Sequence, residues 1–154
     1  MKWTELQVSV STTIGWFQGS IFPVSTAMSR HMTSGCAGQT HRPISRTERL
    51  HTLEHLFATF ARNSEWKDHV IYFGPMGCRT GCYFLLRDME EADAVRLVRS
   101  IFQQISQYDG EVPGATAKEC GNYLEHDLEG AKKEAQEFLT IIEGWDERKL
   151  VYPE

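Results

Sequence analysis

The apolar positions fall into unlike regimes along the chain. From Met1 to about Arg46 there is no helical period, and only short alternating pieces, Val8–Val10 and Ile21–Val24, suggest strands. At Thr47 the pattern changes. Leu50, Leu53, Phe57, Phe60 and Ala61 recur at helical spacing, which predicts a helix running from a Thr47 cap to about Asn63. His69–Phe73 and Cys82–Leu86 are β-branched, aromatic or apolar runs separated by the glycine-rich stretch Gly74–Gly81, and they read as two strands joined by a loop. Ala92, Val95, Val98, Ile101, Phe102 and Ile105 predict an amphipathic helix over Glu90–Gln107, broken by Gly110, Pro113 and Gly114. Beyond a short segment around Glu119–Tyr123, Asp127 is placed to cap a last helix. Its inward side is Leu128, Ala131, Ala135, Phe138, Leu139 and Ile142, and Lys132, Lys133, Glu134 and Glu137 form its solvated face. This order predicts an α+β fold, an antiparallel sheet packed by helices on one side.

Composition narrows the picture. The 154 residues suffice for one domain with a real core. A net charge of −5 and a pI of about 5.7 argue against a general nucleic-acid binder, which needs a basic face. No apolar run approaches the roughly 20 residues of a membrane span. Ser and Thr interrupt the start too often for a signal peptide, so the expected location is the cytoplasm. Cys36, Cys78, Cys82 and Cys120 fit reduced thiols, ligands or catalytic groups better than a disulfide framework. The first fifty residues hold only two acids, Glu5 and Glu48, against five Lys/Arg, with fourteen Ser/Thr; the remainder holds nineteen acids and eleven Lys/Arg. The first third does not read like the rest.

The chemistry concentrates in His51-Thr52-Leu53-Glu54-His55. Residues three and four apart share a helix face, so two imidazoles and a carboxylate point the same way, in the His-x-x-Glu-His order of the inverted zincins. A catalytic divalent metal typically takes three protein ligands and leaves a position open. Candidates for the third are Cys120, Cys78, Cys82, His69, His126 or a downstream carboxylate; a thiolate beside two imidazoles suits Zn²⁺ or Fe²⁺. Spacing alone does not choose among them.

Three stretches, HTLEHL, GPMGCRTGCY and ECGNYLEHDLEGAKKEA, resemble in order and separation the S-ribosylhomocysteine lyase (LuxS) family, the autoinducer synthases of quorum sensing, over about Leu50 to Gly144. The resemblance implies that His51, His55 and Cys120 are the metal ligands, that Glu54 is the acid/base glutamate, and that Cys78 is the catalytic cysteine, with the neighbouring Arg79 a candidate for substrate contact. It implies one divalent metal per subunit, ferrous iron in the cell and replaceable by zinc or cobalt. It also implies the LuxS/MPP-like metallohydrolase fold and a homodimer with its active sites at the interface. The substrate would be S-ribosylhomocysteine, cleaved to homocysteine and 4,5-dihydroxy-2,3-pentanedione. Cys82, His69 and His126 read as ordinary buried or partly buried groups. Two rivals remain: an inverted-zincin metallopeptidase with a downstream Glu as third ligand, and an inactive metal-binding remnant of the lyase.

Residues 1–49 carry none of the family's N-terminal patterns, SF-x-LDH and Y-D-I/V-R…PN, so the chain divides into 1–49 and a LuxS-like metal-binding catalytic part, 50–154. Reading the codons of residues 7–50 one frame over, synonymous freedom permits a string that opens SFRLDHN, contains YDIR and runs straight into HTLEHL. Two positions are forced: Trp16-Phe17 gives Val and Met32-Thr33 gives Asp, the latter on the D of YDIR. The first third is therefore expected to be an out-of-frame translation. As written it should lack the N-terminal sheet strands and substrate contacts, and be unstable, poorly dimeric and nearly inactive.

Overall fold

A computed structural model of the chain describes residues 11–17, 20–25, 46–77, 79 and 81–146. Val8–Val10 and Cys78 lie outside the described residues. Strands β1 (Ser11–Phe17) and β2 (Ser20–Ser25) precede helix α1 (Thr47–Arg62). A short 3-10 turn, Lys67–His69, leads into β3 (Val70–Pro75) and β4 (Gly81–Arg87), and helices α2 (Glu91–Gln107) and α3 (Leu128–Ile141) complete the order. All strand pairs are antiparallel, in the spatial order β2-β1-β4-β3. The first third, expected to lack sheet strands, thus contributes two. Thr, Ile, Trp, Phe and Val in these segments suit a pleated strand, and Pro23 is tolerated because β2 lies at the sheet edge.

The helices gather on one face of the sheet, α1 against β3 and against both α2 and α3. Phe57 of α1 is the centre of this packing. Fully buried, it stacks on Phe73 of β3 at 4.0 Å between ring centroids and meets Phe84 of β4 and Phe102 of α2 edge-on. Around it lie Leu56, Leu86, Val98, Ile101, Ile105 and Ile142, all fully buried. Phe73 and Phe84 are register partners that point inward together, whereas Tyr72 and Tyr83 are exposed. A shift in register between Val70 and Tyr72 leaves Ile71 exposed as well. No helix among the described residues is long and apolar enough to cross a membrane.

Helix ends were only partly foreseen by pattern. Asp127 does cap α3, its carboxylate accepting from the Gly130 amide at 2.8 Å. Thr47 does not cap α1: Arg46 holds that position without a side-chain bond, and the Thr47 hydroxyl instead accepts from Nη1 of Arg79 at 3.0 Å. Between α2 and α3 the chain has no helix or strand from 108 to 127, yet it is tied by successive turns such as Ala115 N–H to Val112 O and Cys120 N–H to Thr116 O. This irregular connection folds back on α1.

Candidate metal centre

The contact between α1 and the 108–127 connection brings four donor side chains together. His51, His55, Cys120 and His126 each offer an atom within 4.8 Å of the others, all from half-buried residues. Cys120 Sγ stands 3.4 Å from His51 Nε2. That matches the roughly 3.5 Å expected between a thiolate and an imidazole nitrogen sharing a tetrahedral ion at about 2.3 and 2.0 Å.

Backbone carbonyls fix which nitrogen each ring presents. Nδ1–H of His51 donates to Glu125 O at 2.9 Å, and Nδ1–H of His55 donates to Pro113 O at 2.7 Å. A carbonyl only accepts, so both Nδ1 atoms carry the proton and both Nε2 atoms are left unprotonated as acceptors, the arrangement that orients metal-bound histidines. Gly114 makes the His55 contact possible. Its φ of +72° suits glycine, and a Cβ there would meet His55 Nδ1 at 3.2 Å. The residues present therefore fit a borderline-soft divalent ion held by two nitrogens and one sulfur.

His126, expected to be an ordinary partly buried histidine, lies in the same cluster. Its Nδ1 stands 3.2 Å from Thr52 Oγ1, whose own proton is committed to Glu48 O at 2.7 Å, so His126 Nδ1–H must be the donor. Its Nε2 is buried and, among the described residues, without a hydrogen-bond partner. Burial first, then the neighbouring His51 and His55 rings, hold this imidazole below the ordinary histidine range. Thr52 also accepts from the Asp127 amide at 2.9 Å, and Arg49 pairs with the Asp127 carboxylate at 3.0 Å and with Glu134 at 3.6 Å. One turn of α1 thus grips residues 125–127. In the sequence His126 is one of several candidate third donors, and its link to Thr52, 74 positions away, carries no local signal.

The other sequence candidates are placed less centrally. Glu54 is half-buried on α1, outside the donor cluster and without a hydrogen-bond partner among the described residues. Arg79 is exposed near the start of α1 and adopts φ 60°, an uncommon left-handed conformation for a side-chain-bearing residue. Cys82 lies in the core on β4, where burial, and then the Glu54 and Glu134 charges, push its thiol far up, so it stays protonated and inert. His69 sits away from the cluster, bonded to Arg87 O and set against Trp66.

Fold and site together define an α+β protein with a His-His-Cys-His cluster built on a His-x-x-Glu-His helix. The chain belongs to the S-ribosylhomocysteinase (LuxS) family, whose profile matches residues 39–149. It is 46% identical over 113 residues to the S-ribosylhomocysteine lyase of Finegoldia magna, covering 73% of this chain and 72% of the relative. It is 47% identical over 107 residues to that of Phocaeicola vulgatus, covering 68% and 66%. With the S-ribosylhomocysteine lyase of Clostridium acetobutylicum the identity is 41% over 133 residues, covering 85% and 82%. The family is one of carbon–sulfur lyases. Its match begins at residue 39, ahead of the Leu50 boundary expected from the motifs.

Proposed function

We propose that the chain is an S-ribosylhomocysteine lyase whose reaction takes place at His51, His55 and Cys120, releasing homocysteine and 4,5-dihydroxy-2,3-pentanedione. The observation that carries this reading is that His51, His55 and Cys120 offer donor atoms within 4.8 Å of one another, with His51 Nε2 3.4 Å from the Cys120 sulfur and each ring oriented by a carbonyl behind it. Three such donors suit ferrous iron, with zinc or cobalt able to replace it. When bound, the ion supplies Lewis-acid polarisation of a sugar carbonyl.

The thioether is not activated until a carbonyl stands beside the carbon that loses its proton, so the carbonyl must first migrate along the sugar by enolisation. Each migration needs a base that takes a C–H proton and an acid that returns one to the neighbouring carbon. Glu54, with no hydrogen bond among the described residues to hold its carboxylate elsewhere, fits that shuttle; Cys78 is the second proton carrier on this reading. In the last step a base removes the proton next to the carbonyl, the C–S bond breaks, and homocysteine leaves as the thiolate and takes up a proton. The peptidase rival is not favoured: no carboxylate joins the cluster among the described residues, and the relatives are lyases.

A cytoplasmic homodimer of the LuxS/MPP-like fold accompanies this reading. The outer face of the sheet supports it by exposing Ile71, Tyr72 and Tyr83, apolar surface that a second subunit would cover. Residues 1–49 are, on the same reading, an out-of-frame version of the family's N-terminal segment, and 50–154 hold the metal-binding catalytic part. The test is thiol release from S-ribosylhomocysteine by the iron-loaded chain. E54Q should keep its metal and lose release; an E54Q variant as active as the wild type, or a chain that cleaves peptides instead, overturns the proposal.

A further inference from the structure

His126 raises a question the three-ligand reading leaves open: a fourth nitrogen, bare and buried, faces a centre already supplied with two imidazoles and a thiolate. Ring geometry answers it. His51 and His55 meet edge to face, with planes at 86°, so their in-plane lone pairs can converge on one point. His51 and His126 are instead stacked, with centroids 4.2 Å apart and planes inclined by only 20°. An ion bound well by both would have to lie in both planes. Planes so inclined and held apart by a van der Waals contact of about 3.5 Å intersect roughly 10 Å away, several times the 2.0–2.1 Å length of a metal–imidazole bond. His126 cannot join His51 on one ion as the rings stand. Nor is it free to turn, since its Nδ1–H is held by Thr52 and its backbone is followed directly by the Asp127 cap.

A buried acceptor beside a candidate metal centre, with no partner among the described residues, calls for a donor from outside. The substrate proposed above is a polyol, and its hydroxyls are the donors that arrive at this place. We propose that His126 is not a fourth ligand but a substrate-orienting residue, whose Nε2 accepts a hydrogen bond from a hydroxyl of the open-chain sugar. The bond fixes the rotation of the sugar relative to the centre, which selects the carbon whose proton faces the shuttle. This rests on the lyase reading of the same site.

Cobalt separates the two roles, because a thiolate–cobalt centre is coloured and its spectrum reports the ligand set. The full chain, H126F, H126Q and H51Q are titrated with Co²⁺ and then assayed for homocysteine release. H126F and H126Q should each take one cobalt per chain with the wild-type spectrum, whereas H51Q binds about a hundredfold more weakly or not at all. With cobalt bound, H126F should lose about tenfold in kcat/KM, and H126Q, whose amide oxygen still accepts, should recover part of it. H126Q also guards against a folding failure in H126F. An H126 variant that loses cobalt or shifts the spectrum as H51Q does overturns the inference, because His126 is then a ligand. Full kcat/KM in H126F overturns it from the other side. Cobalt-loaded protein that releases no homocysteine even with the reading frame of residues 1–49 restored sinks the lyase reading and the substrate role with it, while the spectra still decide whether His126 is a ligand.

Discussion

Replacing Thr52 by valine should be among the most damaging single-atom-scale changes in this chain. Thr52 is fully buried, and its hydroxyl makes three contacts: it donates to Glu48 O and accepts from the Asp127 amide and from His126 Nδ1–H. Valine fills the same space, so packing is preserved and only the polar contacts go. The Glu48 carbonyl lies in the first turn of α1 and keeps its helical partner, Thr52 N–H. The Asp127 amide and the His126 Nδ1–H are left facing a methyl group. At about 1–3 kcal/mol for each buried donor left unsatisfied, partly relieved by local movement, T52V should cost roughly 2–4 kcal/mol. That is a large share of a typical stability of about 5–15 kcal/mol and corresponds to a fall in Tm of roughly 5–15 °C for a domain of this size. Urea unfolding of wild type, T52V and T52S measures it; T52S keeps the oxygen and should lose only the cost of a methyl group. A T52V variant within about 0.5 kcal/mol of wild type would show that Thr52 is not the link between α1 and residues 126–127.

Other consequences are as direct. F57A should cost about 3–5 kcal/mol, since it empties the position shared by Phe73, Phe84 and Phe102, and it should leave the chain largely unfolded at 37 °C by circular dichroism. C120S should weaken cobalt or zinc retention against a chelator by at least about a hundredfold, because a hydroxyl replaces the soft donor. The Gly130 amide, and after it the Arg49 guanidinium, hold the Asp127 carboxyl below the usual carboxylate range. Its contribution to stability is therefore complete above the unfolded value of about 4 and fades as pH falls through the lower folded-state value. D127N keeps a cap without the titration, so the difference in urea midpoint between wild type and D127N should shrink between pH 5 and pH 2, expected from that range; a constant difference contradicts the assignment. If residues 1–49 are out of frame, a chain with the frame restored before His51 should release homocysteine at least about a hundredfold faster than the chain as written, and sequencing across the Arg49–Leu50 codons should show the extra base.

The pattern of apolar residues announced α1, α2 and α3 to within a residue or two because each has one buried stripe, and Asp127 announced its own cap. Thr47 misled because its hydroxyl is claimed by Arg79, a contact between residues 32 positions apart that no local signal carries. Leu56 was not in the apolar stripe read from α1, yet it is fully buried, since the helix is covered on a wider arc by α2, α3 and the sheet. The His51–His55 pair was legible from spacing and Cys120 from resemblance. The orientation of His126 was not, because it depends on a Thr52 hydroxyl whose only proton is spent within its own helix. In the first third, β1 was missed and β2 was glimpsed only as the short alternating piece Ile21–Val24, because runs so short carry little local information.

The separation of 69 positions between His51 and Cys120 sets an order of assembly. The helix alone offers two imidazoles whose outer nitrogens have not yet found their carbonyls, a feeble trap for any cation. The sulfur, and both carbonyls that turn the rings, arrive only when the 108–127 connection has closed over α1, and closing so long a span precedes any reward. An ion taken up by this cluster would be fitted after that closure, and its binding energy would help keep the connection shut, so loading with metal should slow amide exchange in residues 108–127 more than in the Phe57 core.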